Sequence, residues 1–374
     1  MRFRELIAAL DWMLAAAAIL LLLLGLAMLF SAGYTTPNLL LGRFGHQALA
    51  AIMGGALFVV MIRIPYHFFQ RYAVVLYGVG VGSLVIVALS ARIIRGAASR
   101  LSLVGFQLQP SEFMKIILVV MIAAALSRAP RLRWSTILAS ALITAVPVIL
   151  VILEPDMGTA SLMLSVWGVV IIFAGISWMA LGALGFSGVA LALTAWRWFL
   201  FDYQKKRILT FLNPRWDPLG SGYNVVQSII AFGSGRLYGR GLGHGPQSQL
   251  KFLPEQQTDF IFASIGEELG LIGAVLVMGL YALLLWRIIR IAQRTRDPFG
   301  QLICVGAFAI LLMSFVVSVG MNMGILPVTG IPLPLVSYGG SHILATCALL
   351  GLVESVHLHS KWVSAPPAEL SYLT

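Results

Sequence analysis

The chain has 374 residues, 59% of them hydrophobic and only 10% charged, with a mean hydropathy of +0.93. So few charges cannot cover the surface of a water-soluble domain of this length, and the composition is that of a polytopic membrane protein. The net charge of +11, from 25 basic and 14 acidic residues, is spread over membrane loops; it suits lipid headgroups or an anionic substrate and argues against a nucleic-acid partner.

A membrane-crossing helix needs about 20 mostly apolar residues. Ten stretches predict such spans: Trp12–Phe30, Gln47–Ile64, Val74–Arg92, Glu112–Ser127, Thr136–Leu153, Ala160–Ala174, Trp178–Leu200, Phe260–Arg290, Gln301–Met323 and Tyr338–His357. The first is long for a signal-peptide core and lacks a small-x-small cleavage site, so it reads as a retained span. The expected architecture is all-α, one integral membrane domain over residues 1–374, with a large loop (200–259) between spans seven and eight. Ten spans put both termini on one side. That side carries twelve basic residues: Arg2, Arg4, Arg63, Arg71, Arg128, Arg131, Arg133, Arg287, Arg290, Arg294, Arg296 and Lys361. The short loops opposite carry four: Arg43, Arg92, Arg95 and Arg100. This bias predicts cytoplasmic termini, a cytoplasmic tail over 360–374 and a large loop facing outward. Cys304 and Cys347 lie in apolar runs and read as packed small side chains.

Ionisable groups inside spans are costly, so each asks for a partner or a role. Glu112 and Lys115, in QPSEFMK, lie three residues apart and share a helix face; they read equally as a self-satisfied pair and as a functional one. Pro110 and Ser111 before them mark a helix start. In LEPDMGTA, Pro155 ends one helix, and Glu154 and Asp156 sit at the start of the next, where acids suit the dipole. The large loop carries Lys205, Lys206, Arg207, Arg215, Arg236, Arg240 and Lys251. It also contains the glycine-rich run GSGRLYGRGLGHG (233–245), which either lets backbone approach a ligand or forms a flexible headgroup-binding loop. Asp259, in LPEQQTDFIF, stands where the polar loop meets an apolar helix, as an N-cap or as a chemical group. Glu267 and Glu268 follow two turns inside the helix, as dehydrated carboxylates or as the lining of a wet cavity. GILPVTGIPLPLVSYGGS (324–341) is broken by three prolines and cannot be a regular helix. The histidines show no metal-ligand spacing, and no nucleotide-binding loop appears.

These segments together resemble the SEDS family (shape, elongation, division and sporulation). FQLQPSEFMK, EPDMGTA, the Tyr203–Gln227 segment, LPEQQTDFIFASIGEELG and GIPLPLVSYGGS are similar to its motifs and occur in the same order. The ending VHLHSKW favours the elongation branch over the division branch. Two positions depart from the pattern: Leu101 follows Arg100 where the family has Trp, and Ser318 stands where the family has Asn. The resemblance implies a peptidoglycan glycosyltransferase in the bacterial cytoplasmic membrane, polymerising lipid II at the outer face. A class B penicillin-binding protein and the elongation machinery would be its partners. An inverting displacement of undecaprenyl pyrophosphate needs a general base and positive charge at the leaving group. Asp259 is the expected base, with Glu112 orienting Lys115, and Arg207 and Lys251 as further cations. Gln227, Ser228, Glu154, Asp156, Ser337, Gly339 and Gly340 are the expected substrate-binding positions. A divalent cation, Mg or Mn, could share the pyrophosphate charge; the sequence names no ligands for it. A lipid II flippase is the rival reading, since buried charges and broken helices also suit a transporter.

Overall fold

The computed structural model describes residues 8–32, 37–93, 101–103, 106–128, 132–199, 202–213, 221–250, 252–253 and 255–363. Arg2, Arg4, Arg95, Arg100, Arg131, Lys251 and the 364–374 tail lie outside them. Helices stand at all ten expected positions. They are α1 (Trp12–Ala32), α2 (Pro37–Arg63), α4 (Ala73–Ile93), α5 (Pro110–Leu126), α6 (Trp134–Leu153), α7 (Met157–Phe173), α8 (Trp178–Thr194), α12 (Ile261–Arg294), α13 (Pro298–Asn322) and α14 (Gly340–Val363). Seven contain a stretch long and apolar enough to cross a bilayer; Ala73–Leu89 and Met157–Phe173 are shorter apolar helices. The short α3 (Tyr66–Arg71) links α2 to α4, and a small hairpin, β1 (Leu101–Leu103) with β2 (Phe106–Leu108), precedes α5. The sequence patterns did not announce that hairpin, because its strands are only three residues each.

Local chemistry sets several boundaries. Asp297 caps α13 by accepting from Gly300 N at 3.0 Å, with Pro298 at the first helical position. Ser177 caps α8 by accepting from Ala180 N at 3.3 Å. Lipid tails give apolar helices little reason to associate, so close packing must hold the bundle together, and small residues permit it. A Cβ on Gly25 of α1 would collide with the Val336 carbonyl oxygen, and one on Gly306 of α13 would collide with a Val119 methyl. The hydrophobic segment of α14 is buried throughout, whereas α8 buries only Ala180.

The large loop is not a free strand of chain. It contains α9 (Asp202–Leu212), α10 (Ser221–Ser234) and α11 (Pro246–Gln249). Its glycine run packs against α12. At Gly270 that helix breaks, with φ 69° and ψ −163°, and residues 236–241 fill the break. Leu271 N donates to Arg236 O (2.9 Å) and Ile272 N to Leu237 O (3.2 Å); Arg240 N and Gly241 N donate to the Glu267 and Glu268 carbonyls, each at 3.0 Å. The glycines are needed for this crossing: a Cβ on Gly239 would strike Glu268 O, and one on Gly270 would strike Gly239 N. Neither expectation for the run, ligand approach or flexibility, accounts for this contact.

The acids inside α12 serve the same attachment. Glu267 accepts from Gln247 N (2.7 Å), Ser248 N (3.0 Å) and Ser248 Oγ (2.5 Å). Glu268 accepts from Ser31 Oγ of α1, whose oxygen in turn accepts from Gly243 N at 2.7 Å. These carboxylates are therefore dehydrated anchors for the loop, the first of the two readings the sequence left open. At the other end of α1, Asp11 caps the helix through Leu14 N (3.2 Å) and holds Arg287 of α12 through Nε at 3.0 and 2.9 Å and through Nη2. Asp11 N donates to Glu354 of α14 at 2.7 Å.

Candidate active site

A cavity of about 780 Å³ opens at the end of the bundle where α12 begins. Its wall is made by the starts of α5, α7 and α14, part of α2, Arg207 of α9, the 255–259 turn and the proline-broken segment. Three chain crossings hold this wall. Ser337 Oγ donates to Thr258 O (2.6 Å) and accepts from Leu333 N (2.9 Å), and Tyr338 N donates to Gln257 O (2.8 Å). Gln47 of α2 donates to Ser337 O and accepts from Gly339 N, each at 3.1 Å. Arg43 donates to the Gln257 side chain at 2.8 Å. The proline segment thus satisfies its backbone by bonding to neighbours, as irregular chain at membrane depth must. Gly158 of the EPDMGTA turn packs under it; a Cβ there would sit 2.6 Å from Thr329 O.

Asp259 lines the cavity, and its Oδ2 lies over Gly330, 3.5 Å from where a Cβ would stand. It is not the helix cap. Helix α12 starts at Ile261 with Phe260 at the cap position and no side-chain cap bond. The capping work falls to Asn322 at the end of α13, whose Oδ1 accepts from Ala263 N at 2.9 Å. Its Nδ2 donates to Asp259 O (2.8 Å) and to Ser318 O (2.7 Å). One amide therefore satisfies an otherwise orphaned helix N–H and fixes the main chain of Asp259. No sequence pattern signals this, because Asn322 sits at the end of an apolar helix far along the chain from Asp259.

Glu112 and Lys115 are each only 5% exposed, and Lys115 Nζ donates to Glu112 Oε2 at 2.8 Å. Glu112 lines the cavity, with Lys115 bonded behind it. The same Oε2 lies 2.7 Å from His342 Nδ1, on the first turn of α14. Neighbouring contacts fix the two helix starts together: Gln109 N donates to Ser341 Oγ at 3.0 Å, and Gln109 Nε2 reaches Asp156 Oδ2 at 3.4 Å. Asp156 also caps α7 through Thr159 N at 2.9 Å. Glu154 is 5% exposed, and neither carboxylate oxygen has a hydrogen-bond partner. Burial, and secondarily the neighbouring Asp156, push its carboxyl up to about 7.

The lining brings together Asp259, Glu112, Glu154, Asp156, Arg207, Gly339 and Gly340 of the expected residues. Ser337 and Ser228 are fully buried and bonded to backbone, Ser228 to Asn322 O at 2.7 Å; they shape the wall from behind. Neither is among the residues that line the cavity. Gln227 is half-buried and outside the lining, and Lys251 falls outside the described residues. Arg43, His46 and His342 join the lining, although no sequence signal singles them out as site residues. Five carboxylates (Glu112, Glu154, Asp156, Glu255, Asp259) face two arginines (Arg43, Arg207), so the cavity is more acidic than the basic loop suggests.

The model of the cell cycle protein family FtsW/RodA/SpoVE matches residues 11–362. The chain belongs to that family. Among its relatives, the peptidoglycan glycosyltransferase MrdB of Escherichia coli K12 is 42% identical over 316 residues, covering 83% of this chain and 85% of MrdB. The crystal structure of Thermus thermophilus rod shape determining protein RodA superposes with a TM-score of 0.70 at 29% identity, covering 94% and 97% of the two chains. A second solved structure, concerned with structural coordination of polymerization and crosslinking by a peptidoglycan synthase complex, contains a chain of the same fold. It matches with a TM-score of 0.79 at 33% identity, covering 94% and 98%.

Proposed function

We infer that the chain is a peptidoglycan glycosyltransferase that polymerises lipid II in this cavity during cell elongation, at the outer face of the bacterial cytoplasmic membrane. The observation that carries the site is the grouping of Asp259, Glu112 and Arg207 around one cavity of about 780 Å³, with Lys115 bonded to Glu112 behind the wall. The names of the family relatives support the activity. In the proposed step, the Asp259 carboxylate takes the proton of the acceptor sugar's hydroxyl as that oxygen attacks the donor's anomeric carbon from the face opposite the leaving group. Undecaprenyl pyrophosphate departs with the bonding electron pair, and the configuration inverts. Lys115, oriented by Glu112, and Arg207 stabilise the departing negative charge. One structural relative comes from a peptidoglycan synthase complex in which polymerization and crosslinking are coordinated. That supports a crosslinking partner for this chain, and we assign the part to a class B penicillin-binding protein.

The acid-rich wall fits a divalent cation, Mg or Mn. Glu154, buried with both oxygens unpartnered, and Asp156 would hold it. Such ions commonly use one or two carboxylates and complete their shell with water and substrate phosphate. When bound, the ion would share the charge of the pyrophosphate. Activity should therefore fall on chelation and return with Mg, and Glu154→Gln should need a higher Mg concentration for half-maximal rate.

The deciding experiment is polymerisation of purified lipid II by the detergent-solubilised protein and by Asp259→Asn. We expect glycan polymer from the parent and a loss of at least about 100-fold in the variant. Near-normal polymer from a folded Asp259→Asn would remove Asp259 from the chemistry. No polymer from the parent, together with lipid translocation in vesicles, would instead establish a flippase.

A further inference from the structure

The Glu112–Lys115 pair has a third member that this mechanism does not use. His342 is 6% exposed and lines the same cavity as Asp259. Its Nδ1 lies 2.7 Å from Glu112 Oε2, the oxygen that also accepts from Lys115 at 2.8 Å. A carboxylate bonded to an ammonium group can only accept, so the ring nitrogen facing it carries the proton. In the neutral ring that leaves Nε2 with a lone pair. Nε2 is buried and has no hydrogen-bond partner. Buried polar atoms are nearly always satisfied, and an unpartnered atom of a residue that lines a cavity calls for a partner.

For the neutral ring, that partner brings an O–H or N–H. Glu112 does not supply it: it is engaged through Nδ1 and, as a carboxylate paired with Lys115, has no proton to give. The ring cannot easily turn to find another, because Glu112 holds its far side and α14 holds its backbone; Thr346 Oγ1 donates to His342 O at 2.8 Å. A carboxylate that orients an imidazole while its other nitrogen points to a hydroxyl is a recurrent way of binding and aligning that hydroxyl.

We propose that His342 is a specificity-determining residue of this site, oriented by Glu112 through Nδ1 and accepting through Nε2 a hydrogen bond from a sugar hydroxyl or acetamido N–H of the substrate. This rests on the glycosyltransferase reading above. It also gives Glu112 a second task. The carboxylate fixes a cation on one side and a sugar acceptor on the other, so the charge-handling and sugar-recognition parts of the site share one oxygen.

The two ring nitrogens can be tested separately, because amides of different length replace them. His342→Asn keeps a donor near the Nδ1 position and removes Nε2; His342→Gln places an amide near the Nε2 position; His342→Leu removes both. The assay is polymerisation of lipid II by the purified full-length protein, with thermal denaturation in detergent as the folding control. We expect His342→Asn to raise KM on the order of tenfold, the weight of one hydrogen bond, with kcat changed less than KM. His342→Gln should return KM to within about threefold of the parent, and His342→Leu should be the weakest binder and melt lower than the parent, since Glu112 loses a buried donor. A parental KM in His342→Asn would overturn the proposal and leave His342 as a support for Glu112 alone. Equal losses in the Asn and Gln variants would overturn it as well. Should the parent form no polymer while Asp259→Asn behaves identically to it, the glycosyltransferase reading itself fails, independently of His342.

Discussion

Glu154 carries a cost that its neighbours do not relieve. The carboxyl ordinarily ionises near 4.5, and in the fold burial and Asp156 hold its proton to about 7. Between these values the folded state binds more proton than the unfolded state, so stability from this group falls as pH rises through that window and stays low above it. Glu154→Gln has no charge to desolvate. In detergent without divalent cation, it should be more stable than the parent by about 1–3 kcal/mol at pH 8, and the two melting curves should converge near pH 4. A gap that does not change with pH would show that the carboxylate is already satisfied. The sequence makes both acids of the EPD turn visible and also marks Glu112 and Lys115, because charges in apolar runs stand out. It hides His342 and Asn322. Their partners, Glu112 and Ala263, lie 230 and 59 residues away, and no local pattern records a contact at that separation.

At the level of elements, the break in α12 is the feature most exposed to mutation. Gly270 has a backbone conformation that only glycine adopts without strain, and a side chain there would strike Gly239 N. Gly270→Ala should cost more than about 3 kcal/mol. The check is thermal denaturation together with limited proteolysis, which should show new cleavage within 236–250. An unchanged melting point would mean that the loop and helix are less closely apposed. Helices at all ten expected positions are legible from their apolar runs, seven of them long enough to cross a bilayer, and the proline segment is legible as non-helical. The break is not, since a single glycine in a long apolar helix is ordinarily tolerated. The glycine run likewise discloses its need for close approach but not what approaches; the answer is a helix of the same chain.

For the molecule as a whole, the ends of the bundle are secured differently. Near Asp259 the ties are many single hydrogen bonds, most of them from a neutral side chain to a turn's backbone. At the far end of α1 one cluster ties three helices: Asp11 joins α1 to Arg287 of α12 and to Glu354 of α14. Removing one partner of such a pair leaves an uncompensated charge within the bundle, which typically costs about 3–5 kcal/mol. Arg287→Met should lower the melting point accordingly. The double variant Asp11→Asn with Arg287→Met should recover most of the loss, since neutral Asn still caps Leu14. If the double variant is no better than the single, the ion pair is not what holds these helices. No local pattern announces this cluster, because Asp11 precedes its span and resembles part of a charged terminus.

The glycine crossing at Gly270 divides α12 into two mechanical parts. Below it runs a long shaft ending at Arg294; above it a short stub, Ile261–Leu269, is bracketed by the inserted 236–241 chain, by the Glu267 and Glu268 anchors and by the Asn322 amide. Asp259 is mounted on the stub. A helix transmits bending through its continuous hydrogen-bond ladder, and here the ladder is interrupted. The support of Asp259 therefore comes from the inserted loop and the Asn322 amide as well as from its own helix, and does not rest on the shaft alone.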